Sequence, residues 1–309
     1  MGTQNPSDWK DVPHCPLCQI GLERRSLFER INDGGAQLQY QLCDRCGLVF
    51  QSPRMNEAAL DRFYVEQYRQ MVQASEGPTE KDLRVQAGRA RAMLRFIRRD
   101  VSAIGRHLDI GSSAGALLVE FRAKYACESV GIEPGDAYRN FTEHKGLRVY
   151  PDLESMESQD ESSFDMVSMS HVLEHFPDPL TYLKHLRATW MASGGMLLIE
   201  VPNLFGHQAF EFSHLAAYSA ATLKAMLEQA GFEVLRMRAH GQPRSRLIPL
   251  YLTALARSRN AVAPSGRIFS TGRGVRWRRR LGMIWRRLAT KMFPRLAWLP
   301  WPSLDQRME

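Results

Sequence analysis

The chain has 309 residues, 44% of them hydrophobic, which excludes a disordered polymer and predicts roughly two domains. Its net charge of +8 is unevenly placed: residues 1–233 hold 24 Lys and Arg against 31 Asp and Glu, whereas residues 234–309 hold 17 against two. The first residues carry no apolar run of signal-peptide type, and the longest apolar stretch, over 247–256, is too short to span a bilayer, so a cytoplasmic protein is expected.

Four of the five cysteines stand in two knuckles, Cys15-Pro-Leu-Cys18 and Cys43-Asp-Arg-Cys46. Paired Cys-x-x-Cys turns in a chain with no secretion signal fit tetrahedral thiolate zinc better than disulfides. Phe28, Ile31, Leu38, Tyr40 and Leu42, interrupted by Asn32-Asp-Gly-Gly35, read as a hairpin between the knuckles. Together these predict a structural zinc ribbon over 1–52, with no ligand position left open for catalysis. Cys127 reads as a core residue.

A helical linker region follows over 53–103. Helical spacing is present over 55–71 and again over 79–103, where Leu83, Ala87, Ala90, Leu94, Ile97 and Val101 form one stripe. From 106 onward short apolar runs alternate with helical patterns. Strands are predicted over 106–110, 128–132, 147–150, 164–170, 195–201 and 233–239, and helices near 114–126, 178–191 and 219–230. Such alternation predicts an α/β fold: a doubly wound, Rossmann-like, mostly parallel sheet with helices on both faces.

The first βα turn carries the chemistry. Strand 106–110 ends in Asp109-Ile-Gly111-Ser-Ser113-Ala-Gly115 and runs into a helix whose N-terminus faces a ligand. Glycine at 111 and 115 allows close backbone approach. The next strand ends in Glu133, an acid placed to accept from ribose hydroxyls. This turn resembles motif I of the class I S-adenosylmethionine-dependent methyltransferases. Phe164-Asp-Met-Val-Ser-Met-Ser-His171-Val-Leu-Glu174-His175 is similar to the family's segment after strand four, and Gly194 to Asn203 to its fifth-strand motif. The ribbon with Gly47-Leu-Val-Phe-Gln-Ser-Pro-Arg54 resembles the N-terminal module of a bacterial subset that includes sugar-modifying enzymes.

The resemblance implies a methyltransferase domain over 104–256. It implies that Asp109, Gly111, Ser113 and Gly115 line the S-adenosylmethionine site, that Glu133 binds the ribose, and that Asp152 lies on the adenine side, with His171 also lining the pocket. In the zinc-ribbon sugar C-methyltransferases that the chain resembles, a histidine in a similar loop after strand five acts as base. Only His214 of Glu211-Phe-Ser-His214 carries over to that pattern, and His175 is the second candidate. A catalytic metal at His171-x-x-Glu174-His175 is disfavoured, because the leading position is His and no carboxylate-rich partner is evident.

Residues 257–309 form a basic extension. Trp277, Leu281, Ile284, Trp285, Leu288 and Met292 share one helical stripe, with arginines over the rest of the surface. Such a helix suits either an anionic membrane interface or docking on the protein's own core. The expectation is methyl transfer from S-adenosylmethionine to a sugar or glycan acceptor, in the cytoplasm or peripherally at the inner membrane face. The rival readings are an RNA methyltransferase, with nucleic acid the less favoured partner, and a non-catalytic donor-binding scaffold.

Overall fold

The computed structural model describes residues 8–33, 36–56, 58–59, 77–157, 163–208, 210–259 and 272–300. Most of the helix expected over 55–71, and the end of the chain with Trp301, lie outside the described residues.

The N-terminal part is a small sheet module. Strand β1 (Trp9–Lys10) pairs with β5 (Arg54–Met55), and the hairpin β2 (Arg25–Asp33) and β3 (Ala36–Cys43) continues into β4 (Val49–Gln51). A fourth strand comes from far away in the sequence: β11 (Ala216–Ala217) pairs antiparallel with β4, so that Ala216 faces Phe50. A short strand from the main domain is therefore hydrogen-bonded into the ribbon sheet.

The main sheet has seven strands in the order β12-β13-β10-β9-β6-β7-β8. Parallel strands β6 (Arg106–Ile110), β7 (Glu128–Ile132), β8 (Arg148–Tyr150), β9 (Phe164–Ser170) and β10 (Met191–Pro202) match the predicted runs. Beyond β10 the sheet turns antiparallel through β13 (Tyr251–Ser258), with β12 (Phe232–His240) at the edge. β13 arises from the apolar run that the sequence offered only as a membrane segment too short to span. Its side chains instead fill the sheet interior, with Leu252, Ala254, Leu255 and Ala256 buried.

Alternation along the strands divides the core between the two faces. Met166 and Leu198 contribute to a cluster with helices α1 (Glu80–Ile97) and α2 (Ala116–Tyr125), through Met93, Leu94, Ile97, Leu117 and Phe121. Their neighbours Val167, Leu197 and Ile199 join the opposite cluster with α5 (Pro179–Thr189) and α6 (Ala220–Gln229). Short helices α3 (Asp136–Glu143) and α4 (Leu153–Glu157) complete the crossovers. The second cluster runs on without a break into Leu17, Leu48 and Phe50 of the ribbon.

Helix α1 starts at a capping box in which Thr79 and Asp82 satisfy each other's backbone amides. It packs against α2 and supplies Gln86 to the turn after β6. The C-terminal helices α7 (Val275–Met292) and α8 (Pro294–Ala297) lie against the ribbon and against the loop after β10.

Because Ile97 is fully buried between α1 and the sheet, Ile97→Ala should cost about 2–5 kcal/mol of unfolding free energy. Denaturant titration of the full chain measures it, and a change below about 0.5 kcal/mol would mean that α1 is not part of the cooperative core.

Candidate active site

Five parallel strands present their carboxyl ends to one crevice, the place where ligands enter sheets of this kind. The turn after β6 is shaped by unusual backbone. Gly111 has φ +72°, and a Cβ there would meet Val172 Cγ2 at 2.5 Å. Gly115 has φ +75°, and a Cβ would meet Thr142 and Leu147 at 2.7 and 2.8 Å. Ser113 also takes a positive φ of 49°. Asp109 is buried below the turn, where it accepts from Ser168 Oγ at 2.5 Å, and desolvation raises its carboxyl to about 7. His107 stacks on Phe121 and hydrogen-bonds the same Ser168, which fixes the serine's orientation.

Glu133, at the end of β7, accepts from the backbone amides of Ser113 at 2.9 Å and Gly135 at 2.8 Å. Burial raises its carboxyl, partly offset by those two amides. Asp152 follows β8 and accepts from Ser155 N at 2.7 Å at the start of α4, an interaction that lowers its carboxyl. Asp109, Glu133 and Asp152 thus follow one another across adjacent strand ends. Gln86 of α1 closes the turn from outside: its Oε1 accepts from Ala114 N and its Nε2 donates to Ser113 Oγ.

The other half of the crevice is built on β9, β10 and β13. His171, with φ +58°, lies with its Nδ1 3.5 Å from Glu174 and its Nε2 3.6 Å from Glu200, edge-on to Tyr251. Glu200 is fully buried. Burial works against its charge, but His171, His240 and Arg89 outweigh that cost and hold it well below the usual carboxylate range. Arg89 reaches it at 3.1 Å and Thr253 donates to it at 2.7 Å. Burial lowers His171 to about 4 and raises Glu174 to about 8. Both oxygens of Glu174, Tyr218 Oη and Ser170 Oγ are buried with no hydrogen-bond partner among the described residues. Buried polar atoms are ordinarily satisfied, so these groups call for a partner such as water, an ion or a ligand.

His175 and His214 meet here with ring centroids 5.0 Å apart. His175 Nδ1 donates to Ser213 O at 2.9 Å. Burial and the neighbouring histidines lower His214 to about 2, so its imidazole is neutral. One carboxylate oxygen of Glu174 and one nitrogen from each imidazole lie within 4.8 Å of one another, a set able to relay a proton or to hold a divalent ion. The sequence reading found no such partner set for His175, since His214 is distant in the chain. The loop carrying His214 is held from the ribbon: Tyr40 Oη donates to Glu211 O at 2.7 Å and to His214 O at 2.8 Å.

The four ribbon cysteines converge as expected. Cys15 Sγ lies 3.5 Å from Cys46 Sγ, Cys18 Sγ lies 3.5 Å from Cys43 Sγ, and all four sulfurs fall within 4.8 Å of one another. Zinc–thiolate bonds of about 2.3 Å in a tetrahedron place sulfurs about 3.8 Å apart, so the cluster fits such an ion and is too open for disulfides. The two knuckles share one turn, with Gln19 N donating to Cys15 O and Gly47 N to Cys43 O. The sequence does not single out Gln86, Arg89, Glu200 or Tyr251 for the site, and it places Tyr40 only in the ribbon hairpin. Only Glu200, an acid closing an apolar strand, left a local signal.

A family model described as a methyltransferase domain matches residues 80–237, which is just over half of the 309 residues. The chain belongs to this methyltransferase-domain family. The match begins at the first residue of α1 and ends within β12. Curated relatives named ubiquinone biosynthesis O-methyltransferase, from strains of Coxiella burnetii, are 29% identical over 117 residues, covering 36% of this chain and 49% of theirs. The chain therefore spans about half the length of the curated relatives it matches. Among solved structures, a Burkholderia thailandensis 1,6-didemethyltoxoflavin-N1-methyltransferase, crystallised with its substrate and S-adenosylhomocysteine, superposes with a TM-score of 0.50 at 17% identity. It covers 69% of this chain and 96% of its own. An Archaeoglobus fulgidus methyltransferase gives a TM-score of 0.46 at 19% identity, over 66% of this chain and all of its own. The likeness to the Burkholderia structure carries the fold of the methyltransferase domain and nothing finer.

Glu174 sets a pH dependence of stability. Its folded carboxyl sits near 8, far above the unfolded value of about 4.3, so the folded state keeps a proton that the unfolded state releases. The stability this confers is complete below about pH 4 and is lost as pH rises through 8. Thermal melts of Glu174→Gln, which carries no such proton, should fall less steeply than wild type between about pH 5 and 8, by a few degrees.

Proposed function

We propose that this chain transfers a methyl group from S-adenosylmethionine to a hydroxyl of a sugar or glycan-biosynthesis intermediate. One observation carries the reading above the others. The unpartnered polar atoms of Ser170, Glu174 and Tyr218 and the paired imidazoles of His175 and His214 share the strand ends with the glycine turn. Their proximity to the glycine turn supports an acceptor bound beside the methyl donor.

S-adenosylmethionine supplies a methyl group made electrophilic by its sulfonium. The turn 109–115 brings its backbone close to the amino-acid and ribose part, with Glu133 accepting from the ribose hydroxyls and Asp152 toward the adenine. On the acceptor side, the residues must align the attacking oxygen, exclude water and take the hydroxyl proton. His214 is assigned as base and His175 as its neighbour. The lowered basicity of His214 restricts it to a proton already made acidic, unless Glu174 ionises and supports the imidazolium. A second reading, an aromatic hydroxyl such as a quinone precursor carries, is favoured by the ubiquinone O-methyltransferase match. The RNA reading is weakened, since Arg276, Arg279 and Arg286 are spent on backbone carbonyls.

Calorimetry should find S-adenosylmethionine binding that Glu133→Ala weakens at least about tenfold, about 1.4 kcal/mol. His214→Asn should keep donor affinity while lowering turnover by about 10²–10⁴ on a hydroxylated acceptor, read as S-adenosylhomocysteine released. Donor binding with no turnover on either sugar or phenolic acceptors would favour the scaffold reading instead.

Cys15, Cys18, Cys43 and Cys46 are assigned to one structural zinc ion. Elemental analysis should give one zinc per chain. Its removal by a chelator should release β11 and the His214 loop, so that turnover falls while donor binding persists.

A further inference from the structure

Helix α7 is docked the opposite way from an ordinary amphipathic surface helix. The face toward the protein carries Val275, Arg279, Gly282, Arg286 and Ala289, spaced at helical period. Gly282 is needed there, since a Cβ would meet Phe205 O at an impossible separation. Arg279 is buried and donates to the carbonyls of Leu204, His207 and Gln208, while Arg286 donates to Gly206 O at 2.9 Å. The arginines thus satisfy the backbone of the loop after β10, as buried carbonyls require.

The apolar stripe is left pointing outward. Trp277 is 65% exposed, Leu281 58% and Met292 64%, with Ile284 and Leu288 nearly half exposed between them. Positions 277, 281, 284, 288 and 292 lie about 180–260° around the helix from the docked face, at 100° per residue. Exposed cations border the stripe on both flanks: Arg280, Arg287 and Lys291 on one, Arg278 on the other. No acidic residue occurs between Glu233 and Asp305.

We propose that this outer face of α7 is a docking surface for a bilayer rich in anionic headgroups, lying in the interface plane without crossing it. The charge pattern selects this occupant. Phosphate headgroups neutralise the flanking cations while acyl chains take the Trp–Leu–Ile–Met stripe, and long basic side chains reach outward from its edges. A second copy of the chain would set one all-basic helix against another, with no carboxylate to pair. Nucleic acid would neutralise the arginines but leave the aliphatic stripe in water. No described helix is long and apolar enough to cross a membrane, which agrees with a surface-lying element. The surface is separate from the crevice residues, so it stands or falls independently of the proposed methyl transfer.

Co-sedimentation of the full chain with vesicles tests it. Binding is expected to vesicles of phosphatidylcholine with about one third phosphatidylglycerol, and not to phosphatidylcholine alone, and it should weaken as salt rises. The triple variant Trp277→Ser, Leu281→Ser and Met292→Ser removes exposed side chains only. It should lower the partition coefficient about tenfold or more while the melting temperature stays within a degree or two of wild type. Arg280→Ala with Lys291→Ala should abolish the preference for anionic lipid. Failure of wild type to bind anionic vesicles, or undiminished binding by the triple variant, would overturn the proposal. So would sedimentation velocity showing a wild-type dimer that the triple variant dissociates and no vesicle binding, which assigns the stripe to a second copy.

Discussion

Pairing of ribbon strand β4 with β11, sealed by the two hydrogen bonds of Tyr40, is the contact on which the crevice depends. β11 lies in the loop after the last parallel strand, the loop that carries His214. Without the ribbon, that loop would lose a strand partner and two carbonyl bonds at once, and surface loops are orderly only when their backbone groups are held. The cysteine cluster, whose hydrophobic surroundings merge with the core under β9 and β10, thus braces one wall of the crevice. Its influence on the site is mechanical, since all four thiols face one another and none reaches the crevice chemistry.

Electrostatics divides the crevice into two kinds of carboxylate. Glu200 is ionised because Arg89, Thr253 and two histidines surround it, and that network ties α1, β9, β10, β12 and β13 together. Glu174, 3.5 Å from His171 Nδ1, accepts no hydrogen bond among the described residues, and burial keeps it protonated near neutrality. Neighbouring acids with opposite protonation are the arrangement from which acid and base roles arise. A buried acid without a hydrogen bond costs stability, and its persistence beside His175 and His214 is explained by a ligand or proton that it serves.

Local features were legible early. The Cys-x-x-Cys pairs, the glycine turn with Asp109, and Glu133 one strand later are all fixed by chain spacing, which a sequence displays directly. Five of the seven main-sheet strands are buried parallel strands, and each gave an apolar run. β13 was passed over because the run over 247–256 lacks alternation and contains Pro249, so it suggested neither helix nor strand. Tyr40, Gln86, Arg89 and Tyr251 were missed for a different reason. Each acts on a partner at least 27 residues away, and Tyr40 meets His214 across 174.

The sequence by itself determined the two-sided periodicity of α7, the paired cysteine knuckles and the glycine turn, because periodicity and spacing are properties of a few consecutive residues. It could not determine which side of α7 faces inward. An amphipathic pattern ordinarily buries its apolar stripe, yet here Arg279 and Arg286 donate to the carbonyls of the loop at 204–208, so the helix docks by its guanidinium side. The meeting of His175, Glu174 and His214 was likewise decided by tertiary structure. It exists because β9 and β10 are neighbours in the sheet and a ribbon strand holds the loop beyond them in place.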